Sequence, residues 1–551
     1  MPVHVKMPVM KHGFQSAQDA QQNNRFAPAG KLSVERFVAL QSQLSAQSDT
    51  LVDQQDVINK HKQVITSQKA RIAILEEQLR LNKAQRFGPS SETDPVQPDF
   101  FIDPDSVDEM SDSAKKDDAP KKPKKPANRK KGLNPAIARE QQRVYLSDEQ
   151  REGAVSTFFE SVKEELDITP AKVRVIEYMV EKAVYLDDHG KRHIVTAERE
   201  PHPLGKCIAS VGLLAYIIIA KFADGMPLYR LEGILKRHGG SIGRSTMASW
   251  LIRLAIQFQP VINLLHETQL SAFYLQCDET RLKVLREPGM RPQGHKWMWL
   301  LRGGPPDKPV VLFRYDKSRN GEVAKELLDG FEGRYLQCDG YSAYPYAVRG
   351  TPITLVGCFD HARRKFKEAE KALSDKATKS GKVPKCTEAL SMINALYRLE
   401  RQMNEQDLTV EQRTAFRQLH AVPQLQTLHE WLQDNVSKVP PKSLTGKAIR
   451  YTLAQWSKLI VYCEHGQLNI SNILAENAIR PYVIGRKAFL FCNTPEGAKA
   501  CATFYTLVET AKANQIDPYR YVLHLCKHIA TAQTVEDIEA LLPWNVKAQL
   551  H

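Results

Sequence analysis

What this sequence lacks narrows it first. None of its nine cysteines falls in a Cys-x-x-Cys pair, and their number is odd. That excludes a zinc ribbon and reads as a reduced cytosolic chain rather than a disulfide-stapled secreted one. The opening MPVHVKMPVMKHGFQSAQDAQQNN has no apolar stretch of signal-peptide length. Nor does any apolar run reach the roughly 20 residues that cross a bilayer. The longest, CIASVGLLAYIIIA from Cys207 to Ala220, is fenced by Lys206 and Lys221 and reads as a buried helix. No membrane partner is expected. Positive charge, by contrast, is plentiful: 77 Lys plus Arg oppose 63 Asp plus Glu, a formal +14. A polyanionic partner, most simply double-stranded DNA, fits that excess.

At 551 residues the chain exceeds what one core usually organises. Residues 1–31 carry no periodic pattern and read as disordered. Over 32–92, Phe37, Leu44, Leu51, Ile58, Ile65, Ile72 and Leu79 recur every seventh position, the repeat of a coiled coil. The second seam holds Gln47, Gln54, His61 and Gln68, so a long solvated helix is the competing reading. Residues 93–138 pass from acidic (DPDSVDEMSDS) to basic (KKPKKPANRKK) and read as a charged linker, its cations either solvated or on DNA phosphates.

A small mixed module follows at 139–205, strand-like in KVRVIEYMVEKAVYL and bare of chemistry. Residues 206–265 give helix, Gly239-Gly240 break and helix. Ser245 is a candidate cap and Arg244, beside it, a candidate DNA contact. This is the outline of a helix-turn-helix and equally of any helical hairpin.

From 270 to 364 the period changes to strands: AFYLQCDETRLKVL, HKWMWLLRGG and KPVVLFRYDKS, helical GEVAKELLDGF, then RYLQCDGYSAY and PITLVGC. Three strands, a helix, a strand and a fifth strand is the order of an α/β RNase H-like fold, in which the first and fourth strands are central neighbours. The pentapeptide YLQCD occurs on both. Asp278 and Asp339 therefore have one phase on adjacent strands and should converge. Close carboxylates repel unless a cation holds them, and hard oxygen donors suit Mg²⁺. Two such ions can clamp the attacking and leaving oxygens of a phosphodiester.

A third carboxylate is expected from a later helix. Glu476, in GQLNISNILAENAIRPYVIGRKAFLF, sits among small apolar residues and ahead of Arg480, Arg486 and Lys487, all candidate DNA contacts. Glu464, Glu496 and Glu509 compete with it. His361, Arg363 and Arg364, just past the fifth strand, are placed to meet phosphate oxygens or merely to open a solvated helix.

Taken in order, QRFGPSSE, KFADGMPLYRLEGIL, RSTMASW, CDET, CDGYSAY, GCFDHARRKFKEA, NILAENAIRPYVIGRKAFLF, TAKANQIDPYRYV and LLPW resemble the insertion sequence sixty-six family of transposases, the large catalytic subunit. The resemblance implies an RNase H-like core with an Asp-Asp-Glu triad, carried here by Asp278, Asp339 and Glu476 as catalytic and metal-binding residues. It implies two Mg²⁺ ions, with Mn²⁺ as substitute. Residues 365–462 would be a helical insertion, 463–515 the region carrying the catalytic Glu, and 516–551 a helical tail. The implied reaction cuts transposon ends and joins them to target DNA, in the bacterial cytoplasm at the nucleoid. Implied partners are further copies of the chain on DNA and two small accessory proteins of the same element. A structure-specific nuclease on the same fold, and a DNA-binding protein that has lost chemistry, are the rivals.

Two departures stand out. The family's Asp-Asn-Asn before the Glu helix reads here Ser471, Asn472 and Ile473, which puts support of the metal in doubt. The zinc knuckle expected between Leu146 and His202 contains no cysteine, so no zinc is expected.

Overall fold

The computed structural model describes residues 34–87, 173–186, 192–292, 294–373 and 383–550, with isolated positions between 147 and 159. The readings of 1–31 as disordered and of 93–138 as a linker lie outside the described residues.

Helix α1 (Val34–Phe87) is one unbroken element, and the heptad stripe along it is solvent-facing in the single chain: Leu44, Leu51, Ile58, Ile65 and Ile72 are all exposed. The chain divides at Glu76, so the last turns of α1 belong with everything that follows. There, Glu77 accepts the backbone N–H of Leu444 at 3.1 Å, and Arg80 Nε donates to the Ala372 carbonyl at 3.0 Å.

Strands β1 (Lys182–Leu186) and β2 (Arg192–Thr196) form an antiparallel hairpin. The strand-like pattern read from residue 172 narrows to this pair. Val173–Glu181 has no ladder partner among the described residues, and Val175 is 94 % exposed.

Helix α2 (Val211–Phe222) is the buried apolar helix, started by Ser210, whose Oγ accepts the Leu213 N–H at 3.2 Å. Helices α3 (Leu228–Arg237) and α4 (Arg244–Gln257) flank the Gly239-Gly240 break, and Gly239 has φ +87°, a conformation that favours glycine. The cap of α4 is Gly243, not Ser245; the helix begins earlier because Gly243 supplies an extended entry. Helix α5 (Gln259–Leu270) then leads into the sheet.

The main sheet holds β3 (Tyr274–Leu282), β4 (Lys296–Gly303), β5 (Val310–Asp316), β6 (Tyr335–Gln337) and β7 (Thr354–Val356), in the order β5-β4-β3-β6-β7. The first three are antiparallel, while β3-β6 and β6-β7 are parallel. Helices α6 (Gly321–Leu327) and α7 (Ala343–Ala347) flank β6. The N–H groups of β5 that would otherwise form an open edge are capped by a helix: Phe313 donates to Thr506 Oγ1 at 2.9 Å and Val311 to Thr510 Oγ1 at 3.1 Å.

After β7 come α8 (Phe359–Lys371), α9 (Lys385–Glu405), α10 (Val410–Phe416), a π-helical turn (Arg417–Ala421), α11 (Val422–Val436), α12 (Leu444–Ala454) and the short α13 (Trp456–Leu459). These bury their own apolar cluster, including Phe366, Ile393, Leu396, Leu428 and Ile449, continuous with Val356 of β7. Helices α14 (Ile473–Phe489) and α15 (Pro495–Ala513) return to the sheet, and α16 (Pro518–His528), α17 (Val535–Glu539) and α18 (Pro543–Leu550) close the chain. No helix among the described residues is long and apolar enough to cross a membrane.

Candidate carboxylate site

The two copies of YLQCD pair with each other in register: Tyr274 with Tyr335, Leu275 with Leu336 and Gln276 with Gln337. One strand is thus the parallel neighbour of an identical sequence, and the pattern continues to Asp278 and Asp339. Asp278 lies inside β3, which runs on to Leu282, whereas Asp339 lies two residues past the end of β6.

Burial pushes the Asp278 carboxyl well above its ordinary value, and the charges of Glu279, Glu476 and Asp339 push the same way. Its Oδ1 accepts the Glu279 N–H at 2.8 Å, and Asp339 Oδ1 accepts the Tyr341 N–H at 2.8 Å. Glu476, in the first turn of α14, is 1 % exposed. Burial raises it to about 7; Arg364 and Arg480 oppose the rise, while Asp360 and Asp339 add to it. The structure thus brings Asp278, Asp339 and Glu476 within one another's electrostatic reach.

Glu476 Oε1 has no hydrogen-bond partner among the described residues. A buried, unpaired carboxylate oxygen beside two further carboxylates is a donor set that fits a hard dication.

The sign of the pH effect follows from the raised value. Below pH 4.5 Glu476 is protonated in both states and contributes nothing. Between 4.5 and about 7 its ionisation favours the unfolded chain progressively, and above about 7 the penalty is complete. At about 1.4 kcal/mol per unit, this is on the order of 3 kcal/mol. In EDTA, Glu476→Gln should match the unmodified chain near pH 4.5 and exceed its stability by up to about that amount at pH 8. Thermal unfolding at the two pH values checks this. A difference that does not grow with pH would show that burial does not raise the Glu476 carboxyl above its ordinary value.

What holds Glu476 in place is the third letter of the repeated pentapeptide. Asn472, the N-cap of α14, makes no side-chain cap bond. The orphan Ala475 N–H donates instead to Gln276 Oε1 at 2.9 Å. Gln276 Nε2 donates to Gln337 Oε1 at 2.8 Å, and Gln337 Nε2 donates to the carbonyls of Gly357 at 3.0 Å and Asn469 at 2.7 Å. Both amides are buried. Gln276→Met should cost roughly 1–3 kcal/mol, the penalty of stranding buried polar partners. It should also weaken Mn²⁺ binding measured by calorimetry; unaltered Mn²⁺ affinity would mean that the clasp does not orient Glu476.

The predicted cations separate into groups. Arg364 Nη2 lies 3.5 Å from Glu476 Oε2, and Arg480 sits near enough to lower the Glu476 carboxyl. Arg363 departs from the phosphate-contact expectation. It is buried, its Nε donates to Asn394 Oδ1 at 2.9 Å and its guanidinium lies over the Tyr397 ring, so it ties α8 to α9. His361 also departs from it. Burial and the charges of Arg364 and Lys365 lower it to about 3, leaving a neutral imidazole whose Nδ1 is 3.6 Å from Glu476 Oε1. Arg486 donates to Thr280 Oγ1 at 3.0 Å and to the Arg281 carbonyl, joining α14 to β3. Lys487 and Arg244 are exposed.

The competing glutamates stand apart. Glu464 is exposed and accepts from Tyr335 at 3.1 Å, Glu496 is exposed, and Glu509 pairs with Lys512 at 2.8 Å.

Three residues were not singled out from sequence. Glu279 is buried beside Asp278 and bound by Arg319, whose Nε donates to Oε1 at 2.7 Å, and by the Tyr344 hydroxyl. Arg319 also lies 3.6 Å from the centre of the Tyr341 ring. The signals for Glu279 and Tyr344 were their places in CDET and CDGYSAY; Arg319 sits in unremarkable local sequence.

Comparison with known proteins adds an independent line. The family model described as Transposase IS66 family matches residues 206–500, and the IS66 C-terminal element matches 506–544. A third, Transposase C of IS166 homeodomain, matches 74–141, overlapping the end of α1 and the stretch read as a linker. Among curated relatives, the uncharacterized protein y4qI of Sinorhizobium fredii is 32 % identical over 400 residues, 70 % of this chain and 71 % of its own. The uncharacterized protein y4jD of the same organism is 29 % identical over 408 residues, 72 % of this chain and 77 % of its own.

Proposed function

The chain belongs to the IS66 family of transposases, and from that premise we propose that it is an Asp-Asp-Glu transposase on an RNase H-like core. In this reading it cleaves the ends of its element and joins them to target DNA. The observation that carries the proposal is the in-register pairing of the two YLQCD strands through Gln276 and Gln337, each strand leading to its aspartate, with Asp339 near enough for its charge to raise Asp278. The strand order β5-β4-β3-β6-β7 and the burial of Glu476 alongside support it.

Asp278, Asp339 and Glu476 would hold two Mg²⁺ ions, or Mn²⁺ in their place. When bound, these supply charge neutralisation at the phosphodiester and a more acidic attacking hydroxyl. The chain's own residues position and exclude. Gln276 and Gln337 fix the α14 start, Arg319 and Tyr344 hold Glu279, and Arg364 and Arg480 set a positive rim at Glu476. In the first step water attacks phosphorus and the P–O3′ bond breaks, leaving a 3′-hydroxyl on the element and a 5′-phosphate on the flank. In the second, that hydroxyl attacks a target phosphorus and displaces a target 3′-oxygen, so the phosphodiester count is conserved. Orientation and charge supply the rate, without a covalent enzyme intermediate.

DNA is the partner that family membership supports. Exposed Lys487 and Arg244 are proposed phosphate contacts, and α3-α4 a proposed helix-turn-helix reader. The exposed heptad stripe of α1 is proposed to pack against a second copy as a coiled coil when the protein assembles on DNA. Two accessory proteins of the same element and a bacterial, nucleoid-associated location complete the reading. Incubating the full chain with a pre-cut element end, target DNA and Mg²⁺ tests it. Joined product supports the transposase; hydrolysis without joining indicates a nuclease; neither indicates a DNA-binding protein without chemistry.

A further inference from the structure

Beside the aspartate pair lies a second set of donors of different chemistry. The ligand atoms of Cys358, His361 and Glu476 all fall within 4.8 Å of one another. Cys358 is the N-cap of α8 and His361 lies in its first turn, while Glu476 lies in the first turn of α14. Two helix starts therefore converge on one point, where burial and the charges of Asp360 and Glu476 hold the Cys358 thiol well above its ordinary value, so that a bound cation would be what favours the thiolate.

Independent observations say that this junction is unfinished. His361 Nδ1 and Glu476 Oε1 face each other at 3.6 Å, and neither has a hydrogen-bond partner among the described residues, although Glu476 is 1 % exposed. Glu476 turns its other oxygen, Oε2, towards Arg364, leaving Oε1 facing His361 Nδ1. Cys358 Sγ accepts the Asn472 N–H at 3.5 Å, the kind of outer contact that steadies a ligating thiolate. Both side-chain atoms of Asn472, at the same helix start, are also buried without partners.

We propose that Cys358, His361 and Glu476 form a three-ligand site for a borderline transition dication of the Zn²⁺ class, with a fourth position open. Sulfur, imidazole nitrogen and one carboxylate oxygen select such an ion over Mg²⁺, which prefers oxygen alone. Three protein ligands with one vacant position is the pattern of a reactive zinc site rather than a structural one. The sequence expectation of no zinc rested on the lack of cysteine between Leu146 and His202 and of any Cys-x-x-Cys pair. Here the near pair is Cys-x-x-His, and the third ligand comes 476 − 361 = 115 residues later. The proposal shares Glu476 with the transposase reading but stands without it. With both in place, Glu476 lies between a hard oxygen site at the aspartates and a softer site at α8.

The test is spectroscopic and needs no DNA. Full-length, metal-free chain is titrated with Co²⁺, whose bond to thiolate gives a charge-transfer absorption. One Co²⁺ per chain should bind with that band, be displaced by Zn²⁺, and resist excess Mg²⁺. Cys358→Ser should lose the band, and His361→Gln, at a half-buried position and so safer for folding, should weaken Co²⁺ binding at least about tenfold. Asp278→Ala should leave the band intact. No thiolate band in the unmodified chain, a band that persists in Cys358→Ser, or unaltered affinity in His361→Gln each overturns the proposal. End cleavage measured separately in Mg²⁺ keeps its failure distinct from failure of the transposase reading.

Discussion

Asp278→Ala is expected to lower cleavage of element ends by at least about 10³-fold in Mg²⁺. The magnitude comes from the several kcal/mol of transition-state charge stabilisation that a held cation supplies, at about 1.4 kcal/mol per factor of ten. Binding of end DNA, which rests on cations elsewhere, should change little. The metal-free variant should also unfold at a higher temperature than the unmodified chain. Burial and the charges of Glu279, Glu476 and Asp339 all work against an ionised Asp278, and the substitution relieves that repulsion. A loss of activity joined to a gain in stability is a result that a merely structural Asp278 would not produce. Gel-based end cleavage and thermal unfolding in EDTA measure the two halves. Persistent Mg²⁺-dependent cutting by the variant removes Asp278 from the chemistry.

The parts of this site that were legible in sequence are those written as repetition or local pattern. YLQCD appears twice, and identical strands laid side by side in parallel align by register, so the pairing of the two strands that lead to Asp278 and Asp339 could be anticipated. Glu476 was singled out through its apolar neighbours Ile473, Ala475 and Ile479, of which the structure buries Ala475 and Ile479 and leaves Ile473 half-buried. What sequence could not carry is direction across the fold. Arg363 and Arg364 are adjacent, yet one turns into α9 and the other towards Glu476, because a helix rotates successive side chains by about 100°. His361 looked like a phosphate ligand because its neighbours are basic; those same charges, with burial, keep it neutral. The repeated glutamine was in plain view, but its work is to replace a missing helix cap contributed from some 200 residues away. No local pattern records that partnership.

Arg417→Met is expected to destabilise the helical segment between β7 and α14 by about 3–5 kcal/mol, the cost of stranding the partner of a buried ion pair. Arg417 is fully buried in the π-helical turn. Its Nε donates to Glu400 Oε1 at 2.9 Å and its Nη2 to Oε2 at 2.6 Å, a two-pronged pairing that a lysine cannot reproduce. Nη1 donates to the carbonyls of Tyr462 at 2.9 Å and His465 at 3.0 Å. Among the described residues, removing the guanidinium leaves Glu400 paired with Arg413 at 3.9 Å, and it strips two carbonyls of a charged donor. Arg417→Lys should therefore fall nearer to Met than to the unmodified chain. Adding Glu400→Leu to Arg417→Met should recover much of the loss, since an apolar pair of similar volume needs no counter-charge. The segment fixed by Tyr462 and His465 leads directly into Asn472 and Glu476. The single variant should thus loosen α14, and Mn²⁺ affinity should fall together with the urea midpoint. A loss below about 1 kcal/mol, the scale of a surface ion pair, would mean that water reaches Glu400 and that this pair does not anchor the insertion.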